Sequence, residues 1–88
     1  MNDHSLRKSI YSTESTALRT FLKERREELG LSMREFSEEV DLHHSIIGKI
    51  ETGDRRLDVV EFIQYCKALE VEPQKVIELV IKSTNNNK

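Results

Sequence analysis

The sequence predicts an all-α fold, a compact bundle of five short helices spanning residues 12–82. Three observations carry this expectation. Apolar residues recur at helical spacing in each segment between turn signals. Two capping boxes, Ser32 with Glu35 and Asp58 with Glu61, stand directly before such segments. Three glycines and one proline are too few for a sheet protein with many turns.

Each element has its own signal. Ser12 opens a first helix whose apolar residues are Leu18, Phe21, Leu22 and Leu29, with Gly30 as its stop. Lys23, Arg25 and Arg26 alternate with Glu24, Glu27 and Glu28, which reads as a solvated charged face. Ser32 and Glu35 open a short second helix with Phe36 and Val40 inward, and Asp41–Leu42 breaks it. A third helix follows from His44 to Glu51, turning Ile47 and Ile50 inward before Gly53 stops it. Asp58 and Glu61 begin a fourth, with Val59, Phe62, Ile63, Cys66 and Leu69 as its apolar set. Pro73 takes a first helical position, and Val76, Ile77 and Val80 follow in the fifth helix. Residues 1–11, which include Arg7 and Lys8, are expected to be a flexible arm, and residues 83–88 a disordered polar tail.

Composition narrows the function. At 36% hydrophobic and 34% charged, the chain has enough apolar material for a core. No apolar run is long enough to span a bilayer and no signal-peptide pattern is present, so a cytoplasmic location and no membrane partner are expected. The lone Cys66 reads as a small buried hydrophobe, with no second cysteine to complete a metal set. His43 and His44 are adjacent, point apart on a helix and lack a third ligand, so no metal or cofactor is expected. No nucleophile, general base or phosphate-cradling glycine loop stands out, which argues against an enzyme and a small-molecule substrate. A net charge of −2 argues against nucleic acid only on average, because phosphates are met by a local patch.

The informative segment is Ser32 to Gly53: two turns of helix, a tight break, and two turns more. Helices this short are not stable alone, so the first and fourth helices must hold them from behind. With Ile47 and Ile50 inward, the opposite face of the third helix, bearing His44, Ser45, Gly48 and Lys49, is left for a partner. The major groove of B-DNA admits a helix presented in this way.

The run GLSMREFSEEVDLHHSIIGKIETGDRRLDVVEFIQYCKALEVEP resembles the helix-turn-helix domain of the phage-repressor and Cro family, also called the XRE family. That pattern reads Gly-Leu-Ser/Thr-Gln-x-x-Leu-Ala, then Gly-Val-Ser, a recognition helix with Ile-Ser, and a closing Glu-x-Gly-x-Arg. The resemblance covers about Ala17 to Leu79. It implies a lambda-repressor-like domain and a sequence-specific, double-stranded-DNA-binding transcriptional regulator, a repressor at a near-palindromic operator. It also implies that His44, Ser45 and Lys49 read bases. Ile46 adds a contact for a thymine methyl, and Gly48 permits close approach. His43, Arg34, Thr52, Gly53, Arg55 and Arg56 are implied at the phosphates.

The sequence departs from the pattern at several points. Met33 replaces the glutamine that contacts phosphate, with Arg34 beside it. Asp41 replaces the glycine between the helices, which aspartate tolerates in left-handed conformation. Gly48 sits mid-helix, at a cost of about 1 kcal/mol relative to alanine. The last helix carries more apolar residues than one core stripe needs. Val76, Ile77, Val80 and Ile81 are either contacts of a homodimer or packing against the first helix. A different class of function keeps the same fold: an antitoxin or adaptor whose main partner is a second protein.

Overall fold

The computed structural model describes residues 12–85. The arm expected over residues 1–11, with Arg7 and Lys8, and the last three residues of the chain lie outside the described residues. Among the described residues there are five helices: α1 Thr13–Glu28, α2 Met33–Val40, α3 His44–Thr52, α4 Val59–Leu69 and α5 Pro73–Asn85.

Local chemistry explains most of the boundaries. The Ser12 side chain accepts from the Ser15 amide at 3.1 Å and starts α1. Both predicted capping boxes are formed, Ser32 with Glu35 and Asp58 with Glu61, so two otherwise orphaned amides are satisfied at each helix start. Asp41 ends α2 in the left-handed conformation at φ 58°, doing without the usual glycine. The final helix runs to Asn85, past the boundary expected at residue 82. No glycine or proline interrupts it there, and the Ser83 hydroxyl donates to the Val80 carbonyl at 2.6 Å instead of unwinding the turn.

α1 packs against α3, α4 and α5, and α2 packs against α3 and α4. Leu22, Phe36, Val40, Ile47, Ile50, Tyr65 and Leu69 form the shared core. Phe36 and Tyr65 meet edge to face, with ring centroids 4.7 Å apart. Cys66 is buried, and burial pushes its thiol up to about 11, so it serves as a small protonated hydrophobe.

α4 departs from the sequence reading. Val59 and Ile63 are exposed, and Tyr65 takes the inward position beside Cys66 and Leu69. The run VVEFIQYC is apolar on several sides of the helix, so hydrophobicity alone does not set its phase. Phe36 opposite, its ring near perpendicular to that of Tyr65, does.

Candidate nucleic-acid interface

α3 is held from below at both ends. Ile47 and Ile50 anchor it in the core. At its C-terminal end Glu51 meets Arg26 of α1, with Nε to Oε2 at 2.7 Å and Nη2 to Oε1 at 3.1 Å. The Arg26 Nη1 also donates to the Leu31 carbonyl at 2.7 Å. Both side chains are buried, and the hydrogen bond from Glu51 holds the guanidinium pKa above its ordinary value. Arg26 is therefore not part of a solvated face, as the alternating charges of α1 suggested. It is a strut between α1, the α1–α2 turn and α3. Neighbouring Arg25 is also engaged, its Nε donating to the Leu69 carbonyl at the end of α4.

The N-terminal end of α3 has an uncommon cap. His43 stands where the resembling pattern has serine, and its Nδ1 accepts from the Ser45 amide at 3.1 Å, with the Ser45 hydroxyl 2.8 Å away. Accepting at Nδ1 requires that nitrogen to be unprotonated, so the neutral imidazole is the capping form. The His44 ring stacks on His43 with centroids 4.4 Å apart. Desolvation first, then Arg34 and His43, hold the His44 pKa below its usual 6.5.

A proton-coupled consequence follows. Because the folded value lies below the unfolded one, the stability linked to His44 is full above about pH 6.5 and declines as pH falls through that window. An NMR titration of the His44 ring is expected to give a midpoint below 6.5, rising in Arg34→Ala. An unmoved midpoint in that variant would remove Arg34 from the account.

Successive residues advance about 100° around a helix. Ser45, Gly48, Lys49 and Thr52 therefore lie opposite Ile47 and Ile50, with His44 and Ile46 on the two flanks. Ser45, Lys49 and Thr52 are exposed. Ile46 is half-buried against the core, so it borders the outer face instead of standing on it. Gly48 looks toward Met33 of α2. A methyl group there would lie 3.6 Å from the Met33 sulfur, an ordinary contact, so helix packing does not require this glycine.

The loop after α3 sorts the expected phosphate contacts. Gly53 is buried at φ 90° and its amide donates to the Ile50 carbonyl, so that donor is used inside the protein. The Arg55 guanidinium forks onto Glu61 at 2.8 and 3.2 Å and also reaches the Arg56 carbonyl. That fork holds the Glu61 carboxyl below the usual carboxylate range. Arg55 is a brace for the loop, while Arg56 and Arg34 are exposed. The Thr52 hydroxyl bonds to the Lys49 carbonyl and to Asp54.

The helix-turn-helix family matches residues 22–76, more than half of the chain. The chain belongs to the XRE-type helix-turn-helix family. Among solved structures it is similar to an XRE-family-like protein from Pseudomonas syringae pv. tomato str. DC3000, at 26% identity and a TM-score of 0.79. The alignment covers 94% of this chain and 99% of that one. A comparison with curated proteins returns no match. This is the fold of a DNA-binding transcription regulator, with α2 and α3 as the motif and α3 as its second helix.

One feature of this helix-turn-helix protein escaped the sequence reading, and one alternative it left open is decided at Val76. Arg19 of α1 lies over Gly53, so close that a methyl group there would be 2.9 Å from Cζ. On the far side, Val76 is buried inside the chain and is unavailable to a partner, whereas Ile77 and Ile81 are half-exposed. Ile77, Val80 and Ile81 border a groove of about 300 Å³ with Leu18, Val59 and Phe62. Among the described residues no helix is long and apolar enough to cross a membrane.

Proposed function

We propose that this protein is a cytoplasmic repressor that binds a near-palindromic operator as a homodimer. The observation that carries the reading is the outer face of α3, where Ser45 and Lys49 are exposed on a helix anchored by Ile47, Ile50 and Glu51, with half-buried Gly48 beside them. Lys49 donates to guanine acceptors, Ser45 bonds to several base edges, and His44 adds a neutral imidazole at the flank. Ile46 meets a thymine methyl only where the groove wall reaches the helix side. Arg34, Arg56, Thr52 and the His43 ring edge hold the backbone and set the register.

A second copy covers the groove between α4 and α5. Val59, Val60, Ile63, Ile77 and Ile81 are all exposed, an apolar surface that a monomer in water has reason to bury. A twofold dimer sets its two α3 helices roughly 34 Å apart, one turn of DNA. Sedimentation is expected to find a dimer that Ile77→Lys converts to a folded monomer. The same groove supports the second reading, an adaptor or antitoxin, if it binds a different protein. A wild-type chain that remains monomeric with and without DNA favours that reading.

Gly48 supplies a further check. Gly48→Ala is expected to stabilise the fold by up to about 1 kcal/mol, since the new methyl has room beside Met33. The same methyl enters the space between α3 and the groove floor, so affinity for DNA is expected to fall. A variant that gains stability and keeps full affinity contradicts a close approach at this position.

The direct test is fluorescence anisotropy with a labelled duplex of unrelated sequence over a salt series. Affinity is expected to fall linearly on logarithmic axes as counterions are released. A folded chain with no salt-sensitive binding contradicts the proposal.

A further inference from the structure

The first turn of α3 carries a relay that decides which way one hydroxyl points. The Ser45 backbone N–H donates to Nδ1 of His43, 3.1 Å away. That nitrogen is therefore an acceptor, and in the neutral ring the proton sits on Nε2. The Ser45 Oγ lies 2.8 Å from the same Nδ1. Lone pairs facing each other at that distance would repel, so the hydroxyl turns its hydrogen toward the ring. The stacked His44, at 28° between planes, steadies the plane of the imidazole, and the amide selects the edge that faces Ser45.

A serine hydroxyl has one donor and two acceptor sites, and so ordinarily bonds to either kind of group on a base edge. Here the donor is spent. Ser45 is exposed in the first turn of α3, the part of a recognition helix that meets base edges. What it offers there is lone pairs. In the major groove the purine N7, guanine O6 and thymine O4 also accept, and only the amino groups of adenine and cytosine donate.

We infer that His43 is a specificity-determining residue: by holding the Ser45 hydroxyl as an acceptor, it directs Ser45 to the amino group of an adenine or a cytosine. The inference rests on the DNA-binding reading and narrows the choice open to Ser45. His43 acts through Ser45, so it is a positioning residue. The same tautomer leaves a donor at Nε2 on the far edge of the ring, and a backbone phosphate accepting from it locks the relay in the complex.

One test needs no DNA. In the free protein at about pH 8, above the ordinary imidazole value, long-range proton–nitrogen NMR is expected to find His43 protonated at Nε2 and bare at Nδ1. A proton on Nδ1 overturns the relay. The second test uses a duplex recovered by selection from a random pool, at the base pair whose preference Ser45→Ala loses. Removing the amino group there, with purine for adenine or pyrimidin-2-one for cytosine, is expected to weaken wild-type binding roughly fivefold and to leave Ser45→Ala unaffected. Removing N7 of the purine in that pair is expected to affect both proteins alike. The opposite pattern, or no base pair that depends on Ser45, overturns the inference.

Comparing duplexes within each variant cancels any uniform loss of affinity from the missing ring. His43→Asn keeps an acceptor for both Ser45 groups and is expected to keep the fivefold ratio. His43→Gly, a tolerated cap without an acceptor, frees the hydroxyl to donate and is expected to shrink it. An undiminished ratio in folded His43→Gly would make His43 a cap alone, and the inference fails. A wild type without salt-dependent binding to any duplex fails the DNA reading itself, so the two failures are separate.

Discussion

Replacing Arg26 with methionine is expected to cost about 3–5 kcal/mol of folding stability, because it leaves Glu51 buried without its partner. For a domain of this size that corresponds to a melting temperature lower by about 12 °C or more. The cost is not the worth of the ion pair. Two desolvated charges roughly offset their own attraction, and the loss comes from stranding one of them. The double variant Arg26→Met with Glu51→Leu is therefore expected to recover most of the loss in urea denaturation. Failure to recover would show that the third bond of Arg26, to the Leu31 carbonyl, carries more of the effect than the pair. DNA affinity should fall with stability in the single variant, since Glu51 fixes the end of the helix that carries Lys49.

Lys49→Ala is expected to cost about 1–3 kcal/mol on the preferred sequence and to relax the choice of base at one position in each half-site. Lys49 is exposed on the outer face of α3, and its truncation touches nothing in the core. Arg56→Ala supplies the contrast. It is expected to weaken all sequences by about the same factor and to flatten the salt dependence by about one unit. Competition among duplexes with single base changes separates the two effects. If Arg56→Ala relaxed sequence choice while Lys49→Ala weakened every duplex alike, the assigned roles would be reversed.

What the sequence disclosed, and what it withheld, follows from the range of each interaction. Capping boxes at Ser32 and Asp58 act over three residues, so they were legible in the chain and are formed as expected. The inward positions Phe36, Val40, Ile47 and Ile50 were equally legible, because α2 and α3 each have one apolar stripe. Arg26 was not. It reads as one more charge among Glu24, Glu27 and Glu28 until the fold brings Glu51 to it from α3. Arg55 and Arg56 are indistinguishable as neighbours. The turn into α4 delivers Glu61, already the capping-box acid, to the first, whereas the second is exposed.

The same logic explains α4 and the site. An apolar residue on nearly every side of VVEFIQYC left the phase of the helix open, and tertiary packing chose Tyr65. The glycine stop at Gly53 was visible. Its use of its own amide to cap α3 and its closeness to Arg19 were not, since both depend on the loop's path. His43 shows the converse. A histidine in a serine's place looked like a phosphate contact, and the fold makes it the cap of α3.

Selection of bound duplexes from a random pool at near-physiological salt, followed by sequencing, tests the central claim most directly. The account predicts enrichment of an inverted pair of half-sites about one helical turn apart, lost in Lys49→Ala at defined positions. No enrichment by wild-type protein shown to be folded would contradict the claim that the outer face of α3 reads DNA sequence.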